Sequence, residues 1–329
     1  MERIVLDPAC NYSYSSFYIQ GIIDFYHGKV SYSSGPFVEL KYGPDTHIFA
    51  FKVIEKTSEK KIAIDFGDST DIFTEFLNWA DIYGKINLSP SSKIEKDKHK
   101  IRIIAPGYGI KIFNKPLATL TAIINFLKCN ERTVDFRSYL SNYLATTNRM
   151  QLFAEPDFHT LDNYIFFLST YWESQEVTNK YRLNFIKACR NISGIDFEGG
   201  LVLENSVNNN NLGDAITNIR LEYRDYISKI QKSSIVFNTP AFHLCHGWKL
   251  AEYMALGKAI VSTPIINILP EPLEHEKNIY FVSGEISETE EAVKLLIKDK
   301  NLRKKLEKGA YEYYLRFVQP KKAISLLLS

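Results

Sequence analysis

Short apolar runs rich in β-branched and aromatic residues recur along the whole chain, with helix-like stretches between them. Strands that alternate with helices in this way predict mostly parallel sheets covered by helices on both faces. The pattern therefore indicates an α/β protein. The strand-like runs are RIVLD (3–7), KVSYS (29–33), KIAIDF (61–66), IYGKINL (82–88), KIRIIAP (100–106), NYIFFLST (163–170), GGLVLE (199–204), SSIVFNTP (233–240), KAIVSTP (258–264) and NIYFVS (278–283).

The length of 329 residues is enough for two domains, because single cores usually stop growing near about 250 to 300 residues. AEPDF interrupts the alternation near residue 155. We therefore predict two Rossmann-like domains, 1–155 and 156–315, that face each other across a cleft, and a helix in 316–329 that packs back towards the first. FVELKY (37–42) and HIFAFKVIE (47–55) are close enough to predict a hairpin that turns at 43–46.

Composition excludes several classes of protein. A net charge of +2, with 24% charged residues, does not indicate a nucleic-acid partner. The four cysteines have no paired spacing, which favours a reducing compartment. No apolar stretch approaches the roughly 20 residues that span a bilayer, and the first ten residues do not resemble a secretory signal. We expect a cytoplasmic protein.

The most informative segment is HLCHGWKLAEYMALGKAIVSTP (243–264). Trp248 to Leu256 is a run of good helix formers, and Gly257 stands where a residue with positive φ would end the helix. In open α/β sheets ligands bind beyond the carboxyl ends of strands, where helix N-termini attract anions. A diphosphate would meet backbone amides there, together with His246, Gly247 and Lys249.

Glu252 lies one helical turn after Lys249, so the two side chains share a helix face. A carboxylate in that position can accept hydrogen bonds from both hydroxyls of a ribose or sugar diol. The alternative is a solvated ion pair. For His243 and His246, a packing role stays open beside a contact to donor phosphate or sugar. Zinc needs a second pair of ligands, and none is nearby, so we expect no metal.

These residues also carry a family resemblance. WKLAEYMALGKAIVSTPI, followed by LPEPLEHEKNIYFVS and EEAVKLLIKDKNLRKKLEKGA, resembles the donor-binding domain of GT-B glycosyltransferases, especially the retaining group similar to glycosyltransferase family 4, or group 1. The resemblance covers about residues 220–315 and, loosely, the strand 165–170. It implies a GT-B fold and metal-independent sugar transfer from a nucleotide-diphosphate donor, with no cofactor.

The resemblance also implies roles for single residues. Lys249 would neutralise the diphosphate, and Glu252 would hold the ribose. Arg182 lies where such enzymes often place a basic diphosphate clamp, with an exposed helix charge as the alternative. Leu244 stands where the family has a glutamate, so His243 or His246 could take over its contacts to the sugar. Ala259 replaces the usual proline.

The first domain would bind the acceptor. An inverting enzyme needs a base there, and Asp7, Asp65 and Asp68 are the candidates because each lies at or just after the end of a strand-like run. A retaining enzyme needs none, and Asp68 fits helix capping equally well.

The resemblance further suggests a bacterial enzyme of surface polysaccharide synthesis with a glycan or lipid-linked acceptor. Peripheral contact with the inner face of the cell membrane stays open through the basic residues at 303, 304, 305 and 308, which also suit a solvated helix face. The alternatives to sugar transfer are a non-catalytic nucleotide-sugar-binding protein and a sugar-nucleotide 2-epimerase.

Overall fold

The computed structural model describes residues 3–28, 30–42, 46–92, 97–129, 132, 135–151, 156, 158–203 and 210–329. The chain divides into two compact units. One unit contains residues 1–152, 268–270 and 317–329, and the other contains residues 153–267 and 271–316. Each unit combines its own strands and helices, so the predicted α/β class is confirmed.

The elements of both units follow the alternation seen in the sequence. The strands are β1 (Arg3–Leu6), β2 (Val30–Tyr32), β3 (Ile48–Ile54), β4 (Glu59–Asp65), β5 (Ile82–Lys85), β6 (Ile101–Ile103), β7 (Tyr164–Tyr171), β8 (Asp196–Leu203), β9 (Val236–Asn238), β10 (Ile260–Ser262) and β11 (Tyr280–Phe281). The helices are α1 (Tyr12–Phe25), α2 (Thr74–Trp79), α3 (Lys115–Lys128), α4 (Phe136–Thr147), α5 (Glu176–Asn191), α6 (Tyr223–Lys232), α7 (Trp248–Ala255), α8 (Ile286–Lys298), α9 (Lys300–Tyr313) and α10 (Pro320–Leu328).

The first unit has a sheet in the order β2-β1-β3-β4-β5-β6. Strand β3 runs antiparallel to both of its neighbours, whereas the other pairs are parallel. Strands β1 and β4 therefore point the same way, and their carboxyl ends lie at one edge of the sheet. Helix α10 belongs to this unit and packs on α1, where Gly21 leaves room for the backbone of Pro320.

The hairpin of this unit is not the one predicted. Strand β3 pairs with β4, so that Ile48 lies opposite Asp65. Residues 38–42 form no strand, and Phe37 ends a short 3₁₀ turn. Phe37 and Leu40 are both fully buried, and a strand would send residues three apart to opposite faces. The predicted turn falls mostly on residues 43–45, outside the described residues.

The second unit has two groups of strands, β7-β8 and β11-β10-β9, and every described pair is parallel, as predicted. Its core is aromatic at the centre, where the rings of Phe185 and Phe237 stack with centroids 4.1 Å apart. The helix predicted over 215–231 is wrong in its first part. Residues near Ile216 instead extend beside β8, with a bridge to Leu201.

Helix α7 has the limits predicted from its sequence. It is followed by Gly257 at φ 58°, the left-handed conformation that glycine adopts without strain. None of the helices in the described ranges has the length and apolar character needed to cross a bilayer.

Candidate functional site

Helix α7 begins directly beyond the carboxyl ends of β9 and β10. Gly247 is its N-cap and has no side chain to cap the helix, so the amide groups of the first turn depend on other partners. A small pocket adjoins this end of the helix. It is lined by Asn238, Thr239, Pro240, Leu244, Cys245, His246, Gly247, Ile265 and Ile266.

The loop before α7 holds two consecutive residues in a left-handed conformation, His243 at φ 52° and Leu244 at φ 61°. Such a conformation is uncommon for residues other than glycine. Backbone bonds across the loop hold it, including one from the Ala241 amide to the Cys245 carbonyl at 2.9 Å. The side chain of Leu244 is 40% exposed and borders the pocket. The position where the family has a glutamate therefore carries an aliphatic side chain.

Lys249 extends from the first turn of α7 towards the carboxyl end of β7. Its Nζ donates to the carbonyl of Leu168 at 2.6 Å and lies 5.5 Å from the centre of the Phe167 ring. Burial, with a smaller contribution from the positive charge of Arg182, lowers the pKa of Lys249 to about 7. The charged form of this lysine is therefore poorly solvated in the free protein.

Arg182 reaches the same place from α5 and is only 4% exposed. Its Nη1 donates to the carbonyl of Thr170, and its Nε lies 3.4 Å from Oγ1 of Thr239. The guanidinium lies over the ring of Trp172, 4.3 Å from its centre. Burial lowers the pKa of Arg182 to about 10, so the side chain stays charged at neutral pH.

Arg182 and Lys249 are here called the cation pair. Within the described residues neither forms a salt bridge, and their hydrogen bonds go to carbonyls and a hydroxyl. Glu252 is buried nearby, and its Oε1 accepts a 2.7 Å bond from the hydroxyl of Tyr223. One carboxylate faces two cations, so the cluster carries excess positive charge while Lys249 is protonated. Such a cluster attracts an anion.

A family model matches part of the second unit. Residues 192–313 match the family model described as Glycosyl transferases group 1. The family resemblance is confirmed over these residues. They include α7 with Lys249 and Glu252, whereas Arg182 precedes the match. A search of curated proteins found no match to this chain.

Similar solved structures include three with low sequence identity. TarM is 11% identical, with a TM-score of 0.43, over 81% of this chain and 55% of its own. Anabaena Alr3699/HepE, in complex with UDP and glucose, is 14% identical, with a TM-score of 0.39; the match covers 78% of this chain and 63% of that protein. A glycosyltransferase from Rickettsia africae ESF-5 is 14% identical, with a TM-score of 0.44; the match covers 78% of this chain and 66% of that protein. The chain thus covers less than two thirds of the length of each.

The structure brings some of the predicted donor residues together and separates others. Arg182, Lys249 and Glu252 form one cluster, and His246 and Gly247 line the adjoining pocket. His243 is exposed, with its ring against that of Phe242. The alternatives of an exposed Arg182 and a solvated Lys249–Glu252 pair are wrong, because Arg182 and Glu252 are buried. Among the described residues there is no group of three or more metal-binding side chains.

Sequence reasoning missed three residues of this cluster. Trp172 supports the guanidinium of Arg182, Thr239 contacts that same side chain, and Tyr223 bonds Glu252. Trp172 and Thr239 both stand just after strands at the ligand-binding edge of the sheet. That position is the signal that could have identified them.

In the first unit, two of the candidate bases are buried in ion pairs. Asp7 lies 2.7 Å from Nη2 of Arg132, and Asp65 lies 2.8 Å from Nζ of Lys85. Asp65 also accepts bonds from the Tyr83 hydroxyl and from a backbone amide. Burial raises the pKa of each aspartate, and the neighbouring cation opposes that rise.

Asp68 is exposed, unlike Asp7 and Asp65. It does not cap α2, which begins at Thr74 after Phe73, so that alternative is wrong. In the basic run on α9, Lys304, Lys305 and Lys308 are exposed, which agrees with a solvated helix face. Arg303 differs, because it is buried and bonded to Asp162, which excludes it from contact with lipid.

Proposed function

We propose that this chain is a glycosyltransferase that binds a nucleotide-diphosphate sugar at the cation pair and transfers the sugar to a glycan or lipid-linked acceptor. The observation that carries the proposal is the cation pair itself, beside the N-terminus of α7 and without a salt bridge among the described residues. Two cations with one nearby carboxylate suit a ligand that brings at least one negative charge. The group 1 match over 192–313 supports the choice of ligand.

The chemistry follows from where charge develops. The acceptor hydroxyl oxygen bonds to the anomeric carbon, the bond from that carbon to the diphosphate oxygen breaks, and the acceptor proton passes to a base or to the departing phosphate. The leaving diphosphate gains negative charge. Lys249, Arg182 and the amides of α7 would stabilise that charge from fixed positions, with no need for a metal or cofactor.

Glu252 would orient the nucleotide. The hydroxyl of Tyr223 bonds to Oε1 and fixes the direction of the carboxylate. A buried carboxylate held this way suits the paired hydroxyls of a ribose. His246 and Gly247, which line the pocket beside the helix N-terminus, would contact the phosphate or the sugar. His243 is exposed and would reach the donor only at the mouth of the pocket.

The first unit would bind the acceptor. An inverting reaction would use Asp68 as its base more readily than Asp7 or Asp65, because those two carboxylates are held in buried ion pairs. A retaining reaction would use none of them. The pathway we propose is synthesis of a bacterial surface polysaccharide in the cytoplasm.

The test is ligand binding by the whole chain. UDP-, GDP-, dTDP- and CMP-sugars are screened by thermal shift, and the affinity of the best ligand is measured by calorimetry. A ligand that binds only the folded state raises the melting temperature. Lys249→Met and Arg182→Met should weaken binding. The control Lys180→Met should not, because Lys180 lies on α5 like Arg182 but is exposed and paired with Glu285.

Two outcomes would contradict the proposal. One is that no nucleotide sugar stabilises the protein, and the other is that Lys249→Met binds the best ligand as tightly as the unmodified chain.

Leu244 favours a second candidate, a protein that binds nucleotide sugars without transferring them. This residue stands where the family has a glutamate, and it offers the sugar no polar group. Incubating the chain with its donor distinguishes the candidates. Slow release of free sugar that disappears in Lys249→Ala and Glu252→Ala would support catalysis. A changed sugar on an intact nucleotide would indicate an epimerase.

A further inference from the structure

Helix α3 turns its large aliphatic side chains towards solvent. Its inward face consists of the small residues Ala118 and Ala122 together with Asn125, whose amide donates to the hydroxyl of Tyr143. The outward side chains are Leu117 (45% exposed), Leu120 (53%), Ile123 (40%), Ile124 (44%) and Leu127 (76%). This orientation is the reverse of an ordinary surface helix, which buries its large apolar residues.

These side chains form one continuous surface, here called the α3 stripe. Leu117, Leu120, Ile124 and Leu127 are spaced by three, four and three residues, which places them on one helix face, with Ile123 beside them. The small inward residues allow α4 to pack closely on the opposite side. The stripe is thus a regular feature of an amphipathic helix rather than a single exposed leucine, which would require no explanation.

The charges around the stripe are positive. Lys115 begins the helix, Lys128 ends it, and no acidic residue lies between them. From residue 111 to residue 150 the sequence has six lysines and arginines against two acidic residues, and one of the six, Arg132, is neutralised by Asp7 and adds no charge to this surface. One of the two, Asp135, caps α4 by accepting a bond from the amide of Ser138. The surface that surrounds the stripe therefore suits a negatively charged partner.

We infer that α3 lies in the interface of an anionic lipid bilayer, with the α3 stripe at the acyl boundary and Lys115 and Lys128 at the headgroups. Amphipathic helices with an apolar face and basic residues bind membranes in this way. The helix has 14 residues and a length of about 21 Å, which is too short to span a bilayer. Lysines at both ends can extend to the headgroups.

The composition of the stripe favours lipid over a protein partner. It contains only leucine and isoleucine, without the tryptophan, tyrosine and arginine that dominate protein interfaces. The inference goes beyond the proposed function, and it stands even if that proposal fails, because neither the cation pair nor the donor takes part.

The experiment is co-sedimentation of the full chain with vesicles of phosphatidylcholine alone or mixed with phosphatidylglycerol, without any nucleotide. We expect binding to the anionic vesicles. The triple variant Leu120→Gln, Ile124→Gln, Leu127→Gln should reduce that binding by at least about tenfold. Lys115→Gln or Lys128→Gln should each reduce it about fivefold. Leu295→Gln is the matched control, a leucine 38% exposed on α8, and should bind as the unmodified chain does.

A second measurement does not depend on loss of binding. The four native cysteines, Cys10, Cys129, Cys189 and Cys245, are all buried. A polarity-sensitive fluorophore can therefore be attached at Leu120→Cys, and its emission should shift to the blue when anionic vesicles are added. The same label at Leu295→Cys should not shift.

Three results would overturn the inference. They are failure of the unmodified chain to bind anionic vesicles, unchanged binding by the triple variant, and an unshifted label at position 120. Light scattering, which measures the mass of the particle in solution, tests the alternative that the stripe binds a second copy of this chain. A chain that is dimeric in solution and becomes monomeric in the triple variant, without any vesicle binding, would assign the stripe to a second copy.

Discussion

Buried cations in the two units have different partners. In the first unit, Lys85 and Arg132 each bond directly to a buried aspartate. In the second unit, Lys249 and Arg182 bond to backbone carbonyls and lie near each other instead. A buried charge with its own carboxylate is already neutralised, whereas one without such a partner favours an anion from outside. We therefore expect a structural role for the cations of the first unit and, as proposed above, a binding role for those of the second.

Lys258 demonstrates that a lowered pKa does not by itself mark a binding site. Burial lowers its pKa to about 7, as it does for Lys249. Both lysines donate to backbone carbonyls, and each has one carboxylate that opposes the effect of burial, Glu252 for Lys249 and Glu307 for Lys258. Their positions differ: Lys249 lies in the first turn of α7, whose N-cap Gly247 borders the pocket, whereas Lys258 is 2% exposed. The surroundings of a buried lysine, more than its pKa, indicate what it does.

The largest expected effect is a loss of stability when one of the ion pairs of the first unit, Asp65–Lys85 or Asp7–Arg132, is broken. Asp65→Ala leaves Lys85 buried and unpaired, so we expect a loss of about 3–5 kcal/mol in the free energy of unfolding, measured by urea denaturation. Asp68→Ala, at an exposed position, should change it by no more than about 0.5 kcal/mol. An Asp65→Ala protein as stable as the unmodified chain would remove the basis of the comparison.

Lys249→Met should have the opposite effects, with little change in stability and a large loss of donor affinity. It removes a charge that forms no salt bridge with any described residue, so the free energy of unfolding should change by less than about 1 kcal/mol. Affinity for the best nucleotide sugar should fall by about 2 kcal/mol, or about 30-fold, because a charge-assisted hydrogen bond is lost. Denaturation and calorimetry on the same preparation measure both quantities. A loss of stability as large as that of Asp65→Ala would place Lys249 with the structural cations.

Donor affinity should depend on pH through Lys249. Its pKa is about 7 in the free protein because burial disfavours the charged form, and a bound diphosphate raises it. Below pH 7 the lysine is already protonated and affinity should be constant. Above pH 7 binding must take up a proton, so affinity should fall by up to about tenfold per pH unit. Calorimetry from pH 6 to pH 9 measures the slope, which Lys249→Met should abolish. The same slope in that variant would exclude Lys249 as its source.

The smallest effect is expected at Glu252. Glu252→Gln keeps an oxygen that can accept from Tyr223 but removes the negative charge. We expect donor affinity to fall by about 1 kcal/mol, or about fivefold. A nucleotide that lacks the 2′-hydroxyl should bind the unmodified chain more weakly than the complete nucleotide does. Its affinity should then fall little further in Glu252→Gln. If the substitution lowers the affinity of both nucleotides equally, Glu252 does not contact the ribose.

The sequence by itself determined most of the strands and helices, the parallel pairing in the second unit and the position of α7. These features depend on local hydrophobic periodicity and on helix-ending residues such as Gly257. Each of them can therefore be recognised within one short segment of the sequence. The motif at 248–264 likewise carried the family resemblance, which the match to 192–313 confirms. The hairpin of the first unit was misassigned, because Phe37 and Leu40 are apolar residues that pack in the core without belonging to a strand.

Only the tertiary structure decided which charged groups are neutralised and which faces are covered. Asp7 and Arg132 are 125 positions apart, and Asp65 and Lys85 are 20 apart, so no local pattern predicts that they pair. Likewise, the sequence of α3 contains both large and small apolar residues, and the packing of the protein around α3 buries Ala118 and Ala122 and leaves the leucines outside. Periodicity specifies a helix, but its neighbours in space select the face that is buried.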